Sequence, residues 1–131
     1  MAPKTPRDVL AAHYWTVAPA LRHMFWPLTT PRSRGWTTHF SEGGRRVRVA
    51  GQLAEPQGAD TLVVIVHGLG GTPASHYCVR AAQAVERRGW ASLRLALRGS
   101  DGEADGFYHA GLTADLHAAW RSVEVERYRR R

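Results

Sequence analysis

The sequence predicts a protein of the α/β class. Its central part alternates between apolar stretches of strand length and stretches with helical periodicity, in the order strand, loop, helix, strand, loop, helix. Within residues 61–72, five consecutive large apolar residues lead directly into His67 and a glycine-rich loop. Two successive strands joined through a helix are parallel and connected by a right-handed crossover. A buried strand that ends in glycines presents backbone N–H groups at the carboxyl edge of a sheet, where open α/β folds bind ligands.

Length and composition indicate a single folded domain. The chain has 131 residues, 44% hydrophobic residues and five tryptophans, which is typical of a protein with a core. The net charge of +7 comes from the two ends, because residues 61–120 carry five basic and five acidic residues. A nucleic-acid-binding protein usually concentrates positive charge on its recognition element. We therefore expect no specific binding of nucleic acid.

The cysteine content and the apolar runs predict the compartment. The single cysteine, Cys78, excludes an internal disulfide and a cysteine-based zinc site, and its place on the apolar side of a predicted helix indicates a buried, inert thiol. The first residues contain no uninterrupted apolar run followed by a cleavage site. No apolar run approaches the length of a membrane span. We expect no transmembrane segment and a cytoplasmic location.

Residues 1–44 predict an N-terminal helical arm followed by a connection. A helix-start signature at residues 5–8 precedes apolar residues at helical spacing, until Pro19 and Pro27 interrupt the pattern. This arm suits either a membrane interface or packing against the rest of the protein. We favour packing, because its positive charges do not form a continuous polar face. The connection, residues 29–44, contains one short predicted strand near residues 36–40.

Residues 45–131 predict the core. The elements are a half-exposed strand over 46–53 near a sheet edge, a turn at 55–60, the buried strand 61–66, a helix between Thr72 and Gly89, a strand over 90–97, a long loop, and a helix from Thr113 into the 120s. In the last helix, apolar residues recur at helical spacing, namely Leu112, Leu116, Ala119, Trp120 and Val123. Asp115 lies in its first turn, where a carboxylate suits the helix dipole.

Three interpretations compete for the loop of His67, Gly68, Leu69, Gly70 and Gly71. A phosphate cradle is disfavoured, because no Gly-x-Gly-x-x-Gly can be drawn and no lysine follows for a Walker A loop. A structural turn with a hydrogen-bonded core histidine is the default for an isolated His. The third interpretation is an oxyanion hole, since His-Gly directly after a buried strand puts a backbone N–H beside a developing alkoxide. In that case Leu69 donates its N–H, the glycines let substrate approach, and His67 supports the loop.

The order of motifs makes the third interpretation specific. The motifs are His67 to Gly71, Tyr77, Gly89-Trp90, residues 98–102 (Arg-Gly-Ser-Asp-Gly) and residues 108–116 (Tyr-His-Ala-Gly-Leu-Thr-Ala-Asp-Leu). In this order the chain resembles the α/β-hydrolase fold, and in particular its branch of YheT-type esterases and lipases. The resemblance covers residues 60–120. It implies a partial α/β-hydrolase fold, with three layers (αβα) and a mostly parallel sheet, truncated before the nucleophile-elbow strand.

The resemblance also implies hydrolysis of a small-molecule carboxylic ester by a serine nucleophile, without a cofactor or a metal. In this fold the nucleophile lies in a Gly-x-Ser-x-Gly elbow after the next strand. None of the six serines has this spacing; Ser100 comes nearest, but Gly99 and Gly102 are misplaced. Tyr108 and His109 could line the site, although His109 is more consistent with a structural role. The sequence therefore shows half of an active site.

Two functional hypotheses follow. In the first, the chain is the front part of a hydrolase and is inactive alone, because it lacks nucleophile, acid and base. In the second, it is a non-catalytic interaction module that retains the front half of the fold. The DNA downstream separates them, according to whether it encodes a strand followed by Gly-x-Ser-x-Gly. Either way, the last parallel strand has an open edge, which predicts self-association or completion by a second polypeptide.

Overall fold

The structure, a computed structural model, describes residues 29–100, 111 and 113–131, together with Tyr14 and Ala18. The rest of the predicted N-terminal arm and the candidate residues Tyr108 and His109 lie outside the described residues. The elements, in chain order, are β1 (Arg34–Glu42), β2 (Arg45–Ala54), β3 (Leu62–Val66), α1 (His76–Glu86), β4 (Ala91–Ala96), α2 (Thr113–Trp120) and α3 (Val123–Glu126).

The first two strands form a hairpin. β1 and β2 pair antiparallel at nine positions, from Arg34 opposite Leu53 to Glu42 opposite Arg45. The two residues between them, Gly43 and Gly44, have positive φ angles, which is the conformation that the tightest hairpin turns require. Because β1 is hydrogen-bonded along its length to β2, the segment predicted as a connection with a short strand contributes a full strand to the sheet.

The sheet has the strand order β1-β2-β4-β3. β3 and β4 are parallel, as expected for strands joined through a helix, but β2 pairs antiparallel with both β1 and β4. The prediction of a mostly parallel sheet is therefore wrong for the described strands, where the sheet is mixed. The physical reason is the hairpin, since its tight turn reverses the chain and brings β2 beside β4 in the opposite direction.

Alternation along β4 separates the two faces of the sheet. Leu93 and Leu95 belong to a buried apolar cluster with residues of β1, β2 and β3 and of the C-terminal helices. Ser92 and Arg94, between them, must point to the opposite face. The buried members of the cluster are Trp36, Val49, Leu53, Leu62, Ala91, Leu93, Leu95, Leu97, Ala119, Val125 and Tyr128.

Helix α1 agrees with its predicted range. Its N-cap is Ser75, and it ends at Glu86, shortly before Gly89. Its buried residues, including Cys78, form one side of the helix, which packs against β3 and β4. Burial raises the pKa of the Cys78 thiol, which favours the protonated, unreactive form.

The last predicted helix is divided in two. α2 ends at Trp120, and the Ser122 hydroxyl donates to the carbonyl of Ala119 before α3 begins at Val123. The buried positions are Asp115 and Ala119, one turn apart in α2, and Val125 in α3. Of the residues predicted to share the apolar side, Ala119 is buried, whereas Leu116, Trp120 and Val123 are exposed, so the prediction is wrong for these three; Leu112 lies outside the described residues.

The chain returns to the sheet after α3. Tyr128 is buried and donates its hydroxyl hydrogen to the carboxylate of Glu55, 2.7 Å away. The Leu62 N–H donates to the carbonyl of Arg130, and Thr61 and Arg130 form a single parallel bridge. The basic C-terminal segment, residues 127–131, thus lies beside the start of β3. In the described part of the chain, no helix is both long enough and apolar enough to cross a membrane.

Candidate functional site

The glycine-rich loop begins where β3 ends, at the carboxyl edge of the parallel pair. Its backbone forms a tight turn in which the Gly71 N–H donates to the carbonyl of Gly68 at 2.9 Å. Gly70 has a φ of +69°, which a residue with a Cβ rarely adopts. The run of apolar residues before the loop pairs with β4 and packs within the sheet. The hydrogen-bonded strand β3 therefore fixes the start of this short, glycine-rich loop.

Tyr77, in the first turn of α1, holds the loop from one side. Its hydroxyl oxygen accepts the N–H of Gly68 at 2.9 Å. A Cβ built on Gly71 would overlap this oxygen and would crowd the carbonyl of Gly68 and the Cβ of His67. The Tyr77 hydroxyl can therefore occupy this position only because residue 71 has no Cβ. Because the N–H of Gly68 donates to Tyr77, it is not available to a ligand.

His67 holds the loop from the other side and is 4% exposed. Its Nδ1 lies 2.9 Å from the carbonyl of Gly68, which can only accept, so this contact requires a hydrogen on Nδ1. In the neutral ring Nε2 is then an acceptor. The Leu97 N–H donates to Nε2 at 3.4 Å, and the hydroxyl oxygen of Ser100 lies 3.0 Å from the same nitrogen. His67 thus connects the loop after β3 with the turn after β4.

The pair of Ser100 and His67 has the residue types of a catalytic dyad but the contacts of a positioning pair. The single hydroxyl hydrogen of Ser100 is directed at the carbonyl of Leu97, 2.6 Å away. In the neutral ring His67 directs its own hydrogen at the carbonyl of Gly68. An activated serine instead donates to a histidine that a third group orients. The hydroxyl hydrogen of Ser100 is thus directed at Leu97 and not at His67.

The next two N–H groups of the loop are available. Neither Leu69 nor Gly70 donates its N–H to any group in the described residues, and the Leu69 side chain is 84% exposed. Two successive backbone donors at the carboxyl edge of a sheet can bind an anion or an oxygen that develops negative charge. Of the five loop residues, Leu69 and Gly70 therefore supply candidate donors, while His67, Gly68 and Gly71 maintain the geometry.

An ion-pair cluster lies beneath the turn after β4. The Asp115 carboxylate is fully buried and accepts the backbone N–H of Arg98 at 3.0 Å and its guanidinium at 2.7 and 3.0 Å. Arg98 also contacts the Glu42 carboxylate. Its bonds with Glu42 and Asp115 raise the pKa of the Arg98 guanidinium. Sequence reasoning assigned Asp115 to the helix dipole and missed this ion pair.

The predicted site residues therefore divide into two groups. The structure places His67 to Gly71 in one loop and adds Tyr77 and Ser100 as its supports. Tyr108 and His109 lie outside the described residues, so their predicted contribution stays a prediction. No group of three His, Cys, Asp or Glu side chains suited to a metal ion occurs among the described residues.

Comparisons with known proteins give a likeness at the level of structure. No protein-family model matches the sequence, and no match is found among curated proteins. Among solved structures, the chain is similar to a dienelactone hydrolase from Anabaena variabilis, with a TM-score of 0.54 and 20% sequence identity over 75% of this chain. The chain spans half the length of that hydrolase. At this identity the likeness shows the fold alone: the arrangement of the elements is similar to that of this hydrolase.

Proposed function

We propose that the loop His67–Gly71 is the oxyanion-binding loop of a hydrolase that cleaves carboxylic esters or related acyl bonds through a serine nucleophile. The observation that carries the proposal is the pair of uncommitted N–H groups of Leu69 and Gly70, on a loop braced from both sides. Such donors stabilise the charge that forms on the carbonyl oxygen in the transition state. The hydrolase-like fold supports this assignment, because the loop directly follows β3, the parallel partner of β4.

In this mechanism the described residues have separate tasks. The Leu69 N–H donates to the developing oxyanion, and Gly70, with nothing within 4 Å of its Cβ position, leaves space for the substrate to approach the backbone. Tyr77 and His67 keep the donors in place before the substrate binds, and this preorganisation makes oxyanion holes effective. Ser100 takes part by holding His67, and not by attacking the substrate.

The finer architecture is part of the same proposal. The chain forms the front part of a three-layer α/β-hydrolase fold, and its motif order places it in the YheT-type branch. The nucleophile then belongs to a strand beside β3, whose edge is paired only at Thr61 among the described residues. Since the 131 residues contain no Gly-x-Ser-x-Gly, the chain alone has no serine-hydrolase activity. The substrate is a small-molecule ester.

A non-catalytic interaction module is the second candidate. The observation that favours it is the open edge of β3, which can accept a strand from a partner. The DNA that follows codon 131 distinguishes the two candidates. A strand followed by Gly-x-Ser-x-Gly supports the hydrolase, and its absence supports the interaction module.

The experiment that tests the hydrolase uses a fluorophosphonate probe on two proteins. The first is the 131-residue chain, in which we expect no labelled serine. The second is the polypeptide that joins this chain to the strand and elbow encoded after it, in which we expect one labelled serine. In the joined protein, Leu69→Pro removes the proposed N–H donor and should slow labelling by about 10²- to 10³-fold.

Leu69→Ala is the matched control, because it removes the exposed side chain but keeps the N–H. It should label at nearly the rate of the unchanged protein. Equal rates for Leu69→Pro and Leu69→Ala would refute the oxyanion assignment. Stoichiometric labelling of the 131-residue chain at Ser100 would refute the proposal that its nucleophile is elsewhere.

A further inference from the structure

The candidate donor N–H of Leu69 shares one peptide group with the carbonyl of Gly68. In a planar trans peptide, the N–H and the C=O point in opposite directions. The Gly68 oxygen accepts two hydrogen bonds, from the Gly71 N–H and from Nδ1 of His67, both at 2.9 Å. These two bonds on the oxygen therefore set the direction of the Leu69 N–H.

One of the two bonds depends on a distant part of the chain. The ring of His67 is held by the turn of residues 97–100, which follows β4. Its Nε2 lies 3.0 Å from the hydroxyl oxygen of Ser100 and accepts the N–H of Leu97 at 3.4 Å. Nε2 and Nδ1 belong to one rigid ring. A displacement of the turn therefore also moves Nδ1 relative to the Gly68 carbonyl.

The turn of residues 97–100 is closed by its own hydrogen bonds. The carbonyl of Leu97 accepts the backbone N–H of Ser100 at 3.0 Å and its hydroxyl hydrogen at 2.6 Å. Arg98 lies between these two residues. Because the turn is closed, a contact that fixes the backbone of Arg98 also fixes the position of Ser100.

Asp115 holds this turn by its main chain as well as by a side chain. Its fully buried carboxylate accepts the backbone N–H of Arg98 at 3.0 Å, and Nε and Nη2 of the same residue at 3.0 and 2.7 Å. The contacts of Glu42 with Arg98 involve the guanidinium, and the Glu42 side chain is 48% exposed. A charge pair needs side chains alone. The bond to the backbone N–H is therefore the contact that ties the turn to α2.

We propose that Asp115 is a positioning residue for the Leu69 N–H. It fixes the turn of residues 97–100, the turn orients the ring of His67, and the ring directs the Gly68 carbonyl. The Leu69 N–H then points toward the site before a substrate binds, and such preorganised donors stabilise an oxyanion most effectively. This role rests on the proposed function, because an aligned N–H has a task only in a loop that binds an oxyanion.

The first test measures the ring of His67 and the amide of Leu69 by NMR in the ¹⁵N-labelled 131-residue chain. The ring signals report which nitrogen carries the hydrogen, and we expect Nδ1 in the unchanged chain. In Asp115→Asn the NH₂ group must face a donor of Arg98, because both carboxylate oxygens accept from that residue. Ser100→Ala removes the contact between turn and ring. Both variants should shift the ring signals toward a mixture of tautomers and displace the Leu69 signal.

Two control variants separate positioning from stability. Val125→Ala removes buried apolar contacts in the core, and Glu42→Gln neutralises the exposed partner of Arg98. Both should leave the ring and amide signals as they are in the unchanged chain. The proposal is overturned if either Asp115→Asn or Ser100→Ala leaves these signals unchanged. It is also overturned if either control moves them as far as Asp115→Asn does.

The second test measures fluorophosphonate labelling of the joined protein, in which the encoded strand and elbow follow this chain. Asp115→Asn should slow labelling by about 10- to 100-fold, because a small displacement of a catalytic group reduces the rate by this order. Val125→Ala should label at nearly the rate of the unchanged protein. If Asp115→Asn does not fold, Arg98→Lys replaces it in both tests, since it keeps the charge but loses the Nε contact.

The two tests fail in different ways. Equal labelling of Leu69→Pro and Leu69→Ala would refute the oxyanion assignment, and the NMR signals of the 131-residue chain would still decide whether Asp115 orients the ring of His67. Slow labelling of Leu69→Pro together with unchanged labelling of Asp115→Asn would refute the role of Asp115 and leave the oxyanion assignment in place.

Discussion

Two glycines of the loop after β3 look equivalent in the sequence but have different surroundings. A Cβ on Gly68 would be in ordinary contact with the Tyr77 hydroxyl, at 3.7 Å. A Cβ on Gly71 would overlap the same hydroxyl and come within 3.0 Å of the carbonyl of Gly68. Neither glycine has a positive φ, so the difference is one of space and not of backbone conformation. The Tyr77 hydroxyl occupies the space in which a Cβ of residue 71 would lie.

We therefore expect Gly71→Ala to be destabilising and Gly68→Ala to be nearly neutral. Gly71→Ala forces Tyr77 away from the Gly68 N–H, and overpacking of this kind costs about 1–3 kcal/mol. Gly68→Ala should stay within about 0.5 kcal/mol of the unchanged chain. Urea denaturation measures both free energies of unfolding. Equal losses for the two variants would contradict the proposed role of Tyr77.

At the scale of elements, Arg98 joins three parts of the fold. It lies in the turn after β4, and its guanidinium contacts Asp115 of α2 and Glu42 at the end of β1. Its guanidinium also lies over the ring of Phe40 in β1. This cluster explains why α2 turns a carboxylate inward while Leu116 and Trp120 are exposed. The burial of Asp115 thus determines the orientation of the helix.

Asp115→Asn should therefore destabilise the chain strongly. Removing one charge of a buried pair leaves the other insufficiently compensated, and such changes cost about 3–5 kcal/mol. Glu124→Gln is the control, since it breaks the pair between Arg34 and Glu124, whose side chains are 50% and 41% exposed. Pairs of that kind contribute about 0–1 kcal/mol. Thermal and urea unfolding of both variants give the comparison, and similar losses would exclude Asp115 as the main connection.

At the scale of the whole molecule, β3 lies at the end of the described sheet, and one of its two edges is largely unpaired. One edge pairs with β4, and the other pairs only at Thr61 with Arg130 among the described residues. From Val63 to Val66 this edge has no described strand beside it. An apolar strand with unpaired N–H and C=O groups promotes association with other chains.

We expect the 131-residue chain to self-associate through this edge, and Val66→Lys to reduce the association. A lysine on an edge strand hinders pairing with a second chain. Val66 is 38% exposed, so the lysine can reach solvent. Val123→Lys makes the same substitution at an 85% exposed position of α3 and should have no effect. Sedimentation velocity measures the distribution, and a stable monomer of the unchanged chain would contradict the expectation.

Local patterns in the sequence predicted the parallel strands β3 and β4 and the helix α1 between them well. The ranges of β3, α1 and β4 agree with the structure within a few residues, because apolar runs, the cap at Ser75 and Gly89 act over short distances. The position of the glycine-rich loop follows from the same local order. The class of the protein and the place of its candidate site were therefore determined by the sequence itself.

The tertiary structure alone decided which distant groups meet. The pairing of β2 with β4 joins residues such as Ala50 and Ala96, and nothing in either segment specifies that partner. Arg94 is a charged residue within the strand predicted over 90–97, and its burial comes from distant residues, including Pro73 and Ser33, with which it forms hydrogen bonds. Burial and ion pairing depend on what the rest of the chain places nearby. For that reason the loop was visible in the sequence, whereas its supports were not.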